Sequence, residues 1–211
     1  MKRLVVMALL ALALPLAAFA SNSVDFTNLG GTLSGSNAGL SLSGSSLIAV
    51  NGLSGLGMVT GKLGGMSFST GALVSGSLSN CTTAGVCATF ASGGSFKIRG
   101  NGTDGIPNGV IFSGSFSGPV TWSLIQLANG TNSYTMSGAI TGKWWNGVAG
   151  NGAIVQLTIN TGTGYFNGKT LISSGDTNIS SPSAVPEPGT LALLGTGLVG
   201  LAGALSRRRK T

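Results

Sequence analysis

The sequence predicts an all-β domain built as an antiparallel β-sandwich or jelly-roll-like pair of sheets, with a β-solenoid as the runner-up. Three observations carry the expectation. Small and polar residues dominate, with 37 glycines in 211 residues, and Gly, Ser and Thr disfavour helix. Apolar and polar residues alternate at period two through the second half of the chain. Asn-Gly and Gly-rich words interrupt those runs at short intervals, as hairpin turns do. Charged residues make up only 7% of the chain, unlike the composition of disordered segments.

In chain order, Met1-Lys2-Arg3 is a short basic segment and Leu4 to Leu16 an apolar one, interrupted by Pro15. Ala18-Phe19-Ala20 fits the small-x-small cleavage pattern, which puts the cut between Ala20 and Ser21. Residues 1–20 therefore read as a signal peptide, handled by the Sec translocon and signal peptidase, and 21–176 as the exported domain. Its first half repeats Gly-Ser-Leu words, such as Thr32-Leu33-Ser34-Gly35-Ser36, Leu40-Ser41-Leu42-Ser43-Gly44-Ser45 and Leu73-Val74-Ser75-Gly76-Ser77-Leu78. Their spacing is irregular, so a strict repeat is not supported.

The second half is clearer. Phe96 and Ile98 alternate with Lys97 and Arg99. Val110, Phe112 and Phe116 share one face, opposite Ser113, Ser115 and Ser117. Val120, Trp122 and Leu124 follow, then a turn at Asn129-Gly130. Tyr134, Met136, Ile140 and Trp144 form the next face. A turn at Gly150-Asn151-Gly152 leads to Ala153, Val155, Leu157 and Ile159, set against Ile154, Gln156, Thr158 and Asn160. About ten short strands are expected in all. Residues 177–184, with Ser180-Ser181-Pro182-Ser183, read as a linker.

The formal charge is +7, but Lys2, Arg3 and Arg207 to Lys210 supply six of the eleven cations. The central region keeps Lys62, Lys97, Arg99, Lys143 and Lys169 against Asp25, Asp104 and Asp176. That balance gives no reason to expect nucleic-acid binding. The chain has no histidine, which excludes a Ser-His-Asp triad and a Cys-His pair. Asp25, Asp104 and Asp176 are far apart in sequence, and the last two read as turn or loop residues. No enzyme activity and no cofactor are expected.

Cys81 and Cys87 are the only cysteines, and in an exported chain they are expected to form a disulfide. Asn101 to Gly109 offers oxygen ligands for Ca²⁺, but a turn-rich loop held by Asx hydrogen bonds is the better reading. Neighbours on a strand face opposite ways. With Trp144 in the core, Trp145 points outward beside Thr141 and Lys143, where it could stack on a sugar ring or seat a protein. Asn80-Cys81-Thr82, Asn101-Gly102-Thr103, Asn129-Gly130-Thr131 and Asn178-Ile179-Ser180 match the N-glycosylation pattern, which chance supplies readily in such a composition.

The C-terminal 27 residues are the most distinctive. Val185-Pro186-Glu187-Pro188-Gly189-Thr190 precedes an apolar run from Leu191 to Leu205, followed by Ser206 and the stop Arg207-Arg208-Arg209-Lys210. As a helix the run spans roughly 24 Å against a bilayer core of about 30 Å, a marginal span suited to a transient anchor. The positive-inside rule keeps the basic end cytoplasmic and the central domain outside the inner membrane. Gly195-Thr196-Gly197-Leu198-Val199-Gly200 fits G-x-G-x-x-G, but without a βαβ unit or a following acidic residue it is not a nucleotide site.

Motif, span and basic end in this order resemble the PEP-CTERM sorting signal of Gram-negative bacteria, over residues 185–211. The resemblance implies recognition of Pro186-Glu187-Pro188 by an exosortase, a membrane-embedded cysteine transpeptidase-like enzyme, with cleavage nearby. It also implies release to the cell surface or the extracellular matrix, in systems that accompany exopolysaccharide production. The same motif carries an "ice-binding protein C-terminal domain" label. Ice binding would need a regular Thr array on the domain itself, where only fragments such as Thr161-Gly162-Thr163 occur. The expectation is an exported, non-enzymatic surface or matrix protein, with a carbohydrate- or protein-binding module as the alternative.

Overall fold

The structure, a computed structural model, describes residues 23–180. The expected signal peptide with its Ala20/Ser21 cut, the motif Pro186-Glu187-Pro188, the apolar run and the stop Arg207 to Lys210 lie outside the described residues. Among the described residues no helix is long and apolar enough to cross a membrane.

Twelve strands form one sheet. They are β1 (Ser23–Leu29), β2 (Thr32–Ser36), β3 (Gly39–Asn51), β4 (Val59–Ser69), β5 (Leu73–Gly76) and β6 (Gly85–Phe90). The second half contributes β7 (Gly93–Asn101), β8 (Asn108–Gln126), β9 (Asn132–Trp144), β10 (Ala149–Gly162), β11 (Lys169–Leu171) and β12 (Ser174–Ser180). All pairings are antiparallel. Strands β1 and β2 run on from one another across Gly30-Gly31, and together they flank β3, which pairs with both. In the same way β4–β5, β6–β7 and β11–β12 are bent pairs, each lying along a common neighbour or along one another. The twelve strands thus make eight staves.

Each stave pairs with the next in the chain, and the last meets the first, with Ser23 opposite Ser180 and Lys169 opposite Ser34. The sheet is a closed up-and-down barrel. This corrects the expected sandwich, which needs two separate sheets, and the solenoid, which needs parallel coils. Each stave pairs with its chain neighbour, and closure removes the exposed edges that an open sheet would leave. The linker expected at 177–184 is also corrected. Residues 177–180 belong to β12, the strand that closes the barrel between β1 and β10. Thr177 and Ile179 point inward and are buried.

An eight-stave barrel has an interior just wide enough for side chains to fill. Here Phe26, Phe68, Phe96, Phe112, Phe116, Ile140, Trp144 and Ile179 fill it together with Leu33, Leu42, Phe90, Trp122, Tyr134 and Phe166. The rings interlock edge to face, as Phe68 with Phe116 at 5.7 Å and Phe112 with Trp144 at 5.5 Å. Such large rings require small residues across the sheet. Gly114 and Gly142 are cross-strand partners, and a Cβ on Gly142 would lie 2.8 Å from the Phe112 ring. The outer wall carries mainly Ser, Thr, Gly and charged residues, with Leu29, Val74, Val86, Ile125 and Leu171 as its exposed large apolar side chains. That is the reverse of a lipid-spanning barrel, whose outward band is apolar.

Bulges explain where period two misled. One extra residue between Ile98 and Arg99 on β7 and their partners on β8 turns Ile111 inward beside Phe112, while Val110 pairs with outward Arg99. A second bulge in β10 puts Ile154 in the core together with Leu157 and Ile159. The turn expected at Gly150-Asn151-Gly152 is strand, with Asn151 opposite Thr141. The chain reverses earlier, at Asn146-Gly147, where Gly147 has φ 81°.

Candidate functional site

The staves define two rims. One carries the start of β1, the end of β12, and the turns β3–β4, β7–β8 and β9–β10. Trp145 sits there. Strand β9 ends at Trp144, and the turn is pinned by Trp145 N–H to the Ile111 carbonyl and Trp144 N–H to the Val148 carbonyl, both at 2.9 Å. Asn146 Oδ1 accepts the Val148 N–H at 3.1 Å. Trp144 is 5% exposed and packs on Phe26 and Phe112, whereas Trp145 is 44% exposed and stands edge-on to Trp144 at 5.9 Å.

Trp145 therefore faces outward. It lies beyond the strand and lines an open cleft of about 360 Å³ with Val24, Leu53, Ser54 and Asn146. The opposite wall of the cleft is a single 3-10 turn, Leu53–Gly55, in which Ser54 adopts a left-handed φ of 52°.

The other rim holds a cleft of about 560 Å³ that the sequence did not reveal. Tyr165, 46% exposed, lines it with Asn37, Ser77, Ser79 and Asn167, over a floor of Leu78 and Phe166. Its only sequence signal is an aromatic pair, Tyr165-Phe166, between glycine turns. Beneath it Cys81 and Cys87 form the expected disulfide, with Cα atoms 5.2 Å apart. The Tyr134 hydroxyl donates to the Cys81 carbonyl and accepts the Phe166 N–H, each at 3.1 Å. One buried phenol thus ties the disulfide loop and the Tyr165 loop to β9.

The remaining candidates resolve as local structure. Asn101 Oδ1 accepts both the N–H and the hydroxyl of Thr103, at 3.1 and 2.7 Å, and Asn129 does the same for Thr131. Both Asn-Gly-Thr words are Asx turns, with their amide oxygens already engaged. Asp104 occupies a left-handed position, φ 53°, in the β7–β8 loop. Asp176, expected in a loop, lies in β12. Asp25 and Asp176 come onto adjacent strands, diagonal across the register of β1 and β12. Both face solvent on the convex wall, where Asp25 accepts a hydrogen bond from Asn178, and neither lines a rim cleft. Among the described residues no group of three or more Cys, Asp or Glu side chains could hold a metal ion.

The class defined by this geometry is a water-facing, apolar-filled β-barrel with neutral, aromatic-edged clefts at both rims. Residues 184–210 match the PEP-CTERM protein-sorting motif. That motif marks an exported protein with a membrane-anchored C-terminal sorting signal and implies processing by an exosortase-type enzyme. No curated protein and no solved structure matches the chain.

Proposed function

We propose that the chain is a non-enzymatic surface or matrix protein, whose barrel is freed from its membrane anchor by an exosortase-type enzyme acting at Pro186-Glu187-Pro188. The observation that carries the reading is the sorting motif at 184–210, set a few residues behind the strand that closes the barrel at Ser180. The inventory of the barrel supports the non-enzymatic part. It has no histidine, its two described clefts are lined by uncharged residues, and Asp25 and Asp176 stand on an open convex wall, with Asp104 in the β7–β8 loop.

Mass spectrometry of the exported protein tests this. The released form is expected to lack Arg207 to Lys210, and a Pro186→Ala/Glu187→Ala/Pro188→Ala variant is expected to stay with the membrane. An intact basic end on all exported material would overturn the proposal.

The Trp145 cleft favours a second reading, a carbohydrate- or protein-binding module. A 44% exposed indole at the edge of a cleft offers a flat apolar face with polar neighbours. Glycan-array binding with Trp145→Ala as the control tests it: signal lost with the indole supports it, and no binding to any glycan leaves the structural role.

A further inference from the structure

We propose that the outer wall formed by β4, β7, β8 and β9 binds an acidic polysaccharide. The charges of the barrel are segregated. Lys62 on β4, Lys97 and Arg99 on β7 and Lys143 on β9 are four of the five cations among residues 23–180, and none of these four strands carries Asp or Glu. Asp25 on β1 and Asp176 on β12 lie outside this wall, separated from it by β3 on one side and by β10 on the other. Asp104 is in the rim loop, and Lys169 is on β11.

Register sets the spacing. Ser67, Lys97, Ser113 and Lys143 are successive cross-strand partners, so they form one row across the wall. With strands about 4.8 Å apart, Lys97 and Lys143 stand roughly 10 Å from each other, and Arg99 lies about 7 Å along the strand from Lys97. Phe96, Ile98, Phe112 and Trp144 are buried beside them, which fixes the cations on the outward face. Asn101 Nδ2 bonds the Lys62 carbonyl at 2.5 Å and holds that residue next to the end of β7. Serine and threonine fill the gaps: Ser69, Ser95, Ser115 and Thr141 occupy the neighbouring row.

Unopposed cations at this spacing attract a polyanion and gain from counterion release. Which polyanion follows from what surrounds them. No aromatic side chain faces outward between the cations to stack on bases, as single-stranded nucleic-acid sites require. The one large exposed apolar residue on these strands is Ile125, at the far end of β8, so the wall lacks the apolar face that enters a lipid surface. Hydroxyls between cations match a polymer that alternates carboxylates with sugar hydroxyls, and Arg99 can hold a carboxylate bidentately. Only the polymer's cellular source depends on the matrix role proposed above. Binding itself is measured on purified protein and does not depend on sorting.

The test uses the full chain in uncharged detergent, titrated calorimetrically with alginate as the uronate polymer, dextran as the neutral one and duplex DNA as a different polyanion. The wall variant is Lys97→Gln/Arg99→Gln/Lys143→Gln, and Lys169→Gln is the off-wall control. Circular dichroism confirms that both keep the barrel. The basic end Arg207 to Lys210 is common to all variants, so the difference between them is the readout. Alginate is expected to bind, to weaken as salt rises, and to lose roughly tenfold or more in affinity in the wall variant. Lys169→Gln and dextran are expected to show little change and little binding. Equal alginate affinity in the wall variant and the parent, equal loss in Lys169→Gln, or tighter binding of DNA than of alginate would each overturn the proposal.

Discussion

Tyr134 shows how much a single residue can do in this barrel. Its ring is fully buried against Trp122 and Phe166, and its hydroxyl serves two loops at once. Tyr134→Phe keeps the packing but leaves the Cys81 carbonyl and the Phe166 N–H without that partner. A loss of about 1–3 kcal/mol is expected, measurable as a lower urea midpoint at unchanged m-value. The tryptophan pair gives the opposite contrast. Trp144→Ala opens a cavity among Phe26 and Phe112 and is expected to cost about 3–5 kcal/mol. Trp145→Ala removes a half-exposed ring and is expected to cost roughly 0.5 kcal/mol. Comparing the two urea curves checks the assignment. That contrast was legible from strand alternation alone. The surroundings of Trp145 were not, because its cleft partners Val24 and Leu53 are more than 90 residues away in sequence.

At the level of elements, legibility followed hydrophobic pattern and failed where one residue was added. Tyr134, Met136, Ile140 and Trp144 share a face in β9, as their spacing implies. Ile111 and Ile154 do not fit a strict period of two, since each enters the core through a bulge. Residues 177–180 of β12 read as linker because Gly175, Thr177 and Ile179 present only one large apolar side chain inward. Its position is set by β1 and β10, not by its own composition. Gly150 and Gly152 mimicked a turn because the barrel needs them small. A Cβ at Gly152 would lie 2.1 Å from the Asn178 carbonyl oxygen. The disulfide acts at the same scale. It closes a loop of a few residues between β5 and β6, and Cys81→Ser/Cys87→Ser is expected to cost about 2 kcal/mol by loop-closure entropy, read as a shift in thermal midpoint. The β-barrel itself should persist in circular dichroism.

For the whole molecule, the closure of first strand on last decides stability. A chain stopped after Ser173 lacks β12 and leaves β1 and β10 with unpaired edges, so it is expected to aggregate or to lose cooperative unfolding. A chain ending at Pro182 keeps every strand of the barrel and is expected to unfold cooperatively. Size-exclusion chromatography and thermal melting distinguish the two outcomes, and a stable monomer without β12 would contradict the closure. Pairing of the ends also could not be read from the sequence, since it joins segments about 150 residues apart whose composition is ordinary.

The meeting of β1 with β12 also sets a timetable. Strand β12 comes directly before the sorting tail in the chain, and it is the last stave to be exported. The barrel therefore cannot close while translocation is still under way. The segments that cross first must wait without their final partner until β12 has crossed. The sheet is complete only when its last strand, the one next to the sorting tail, is across.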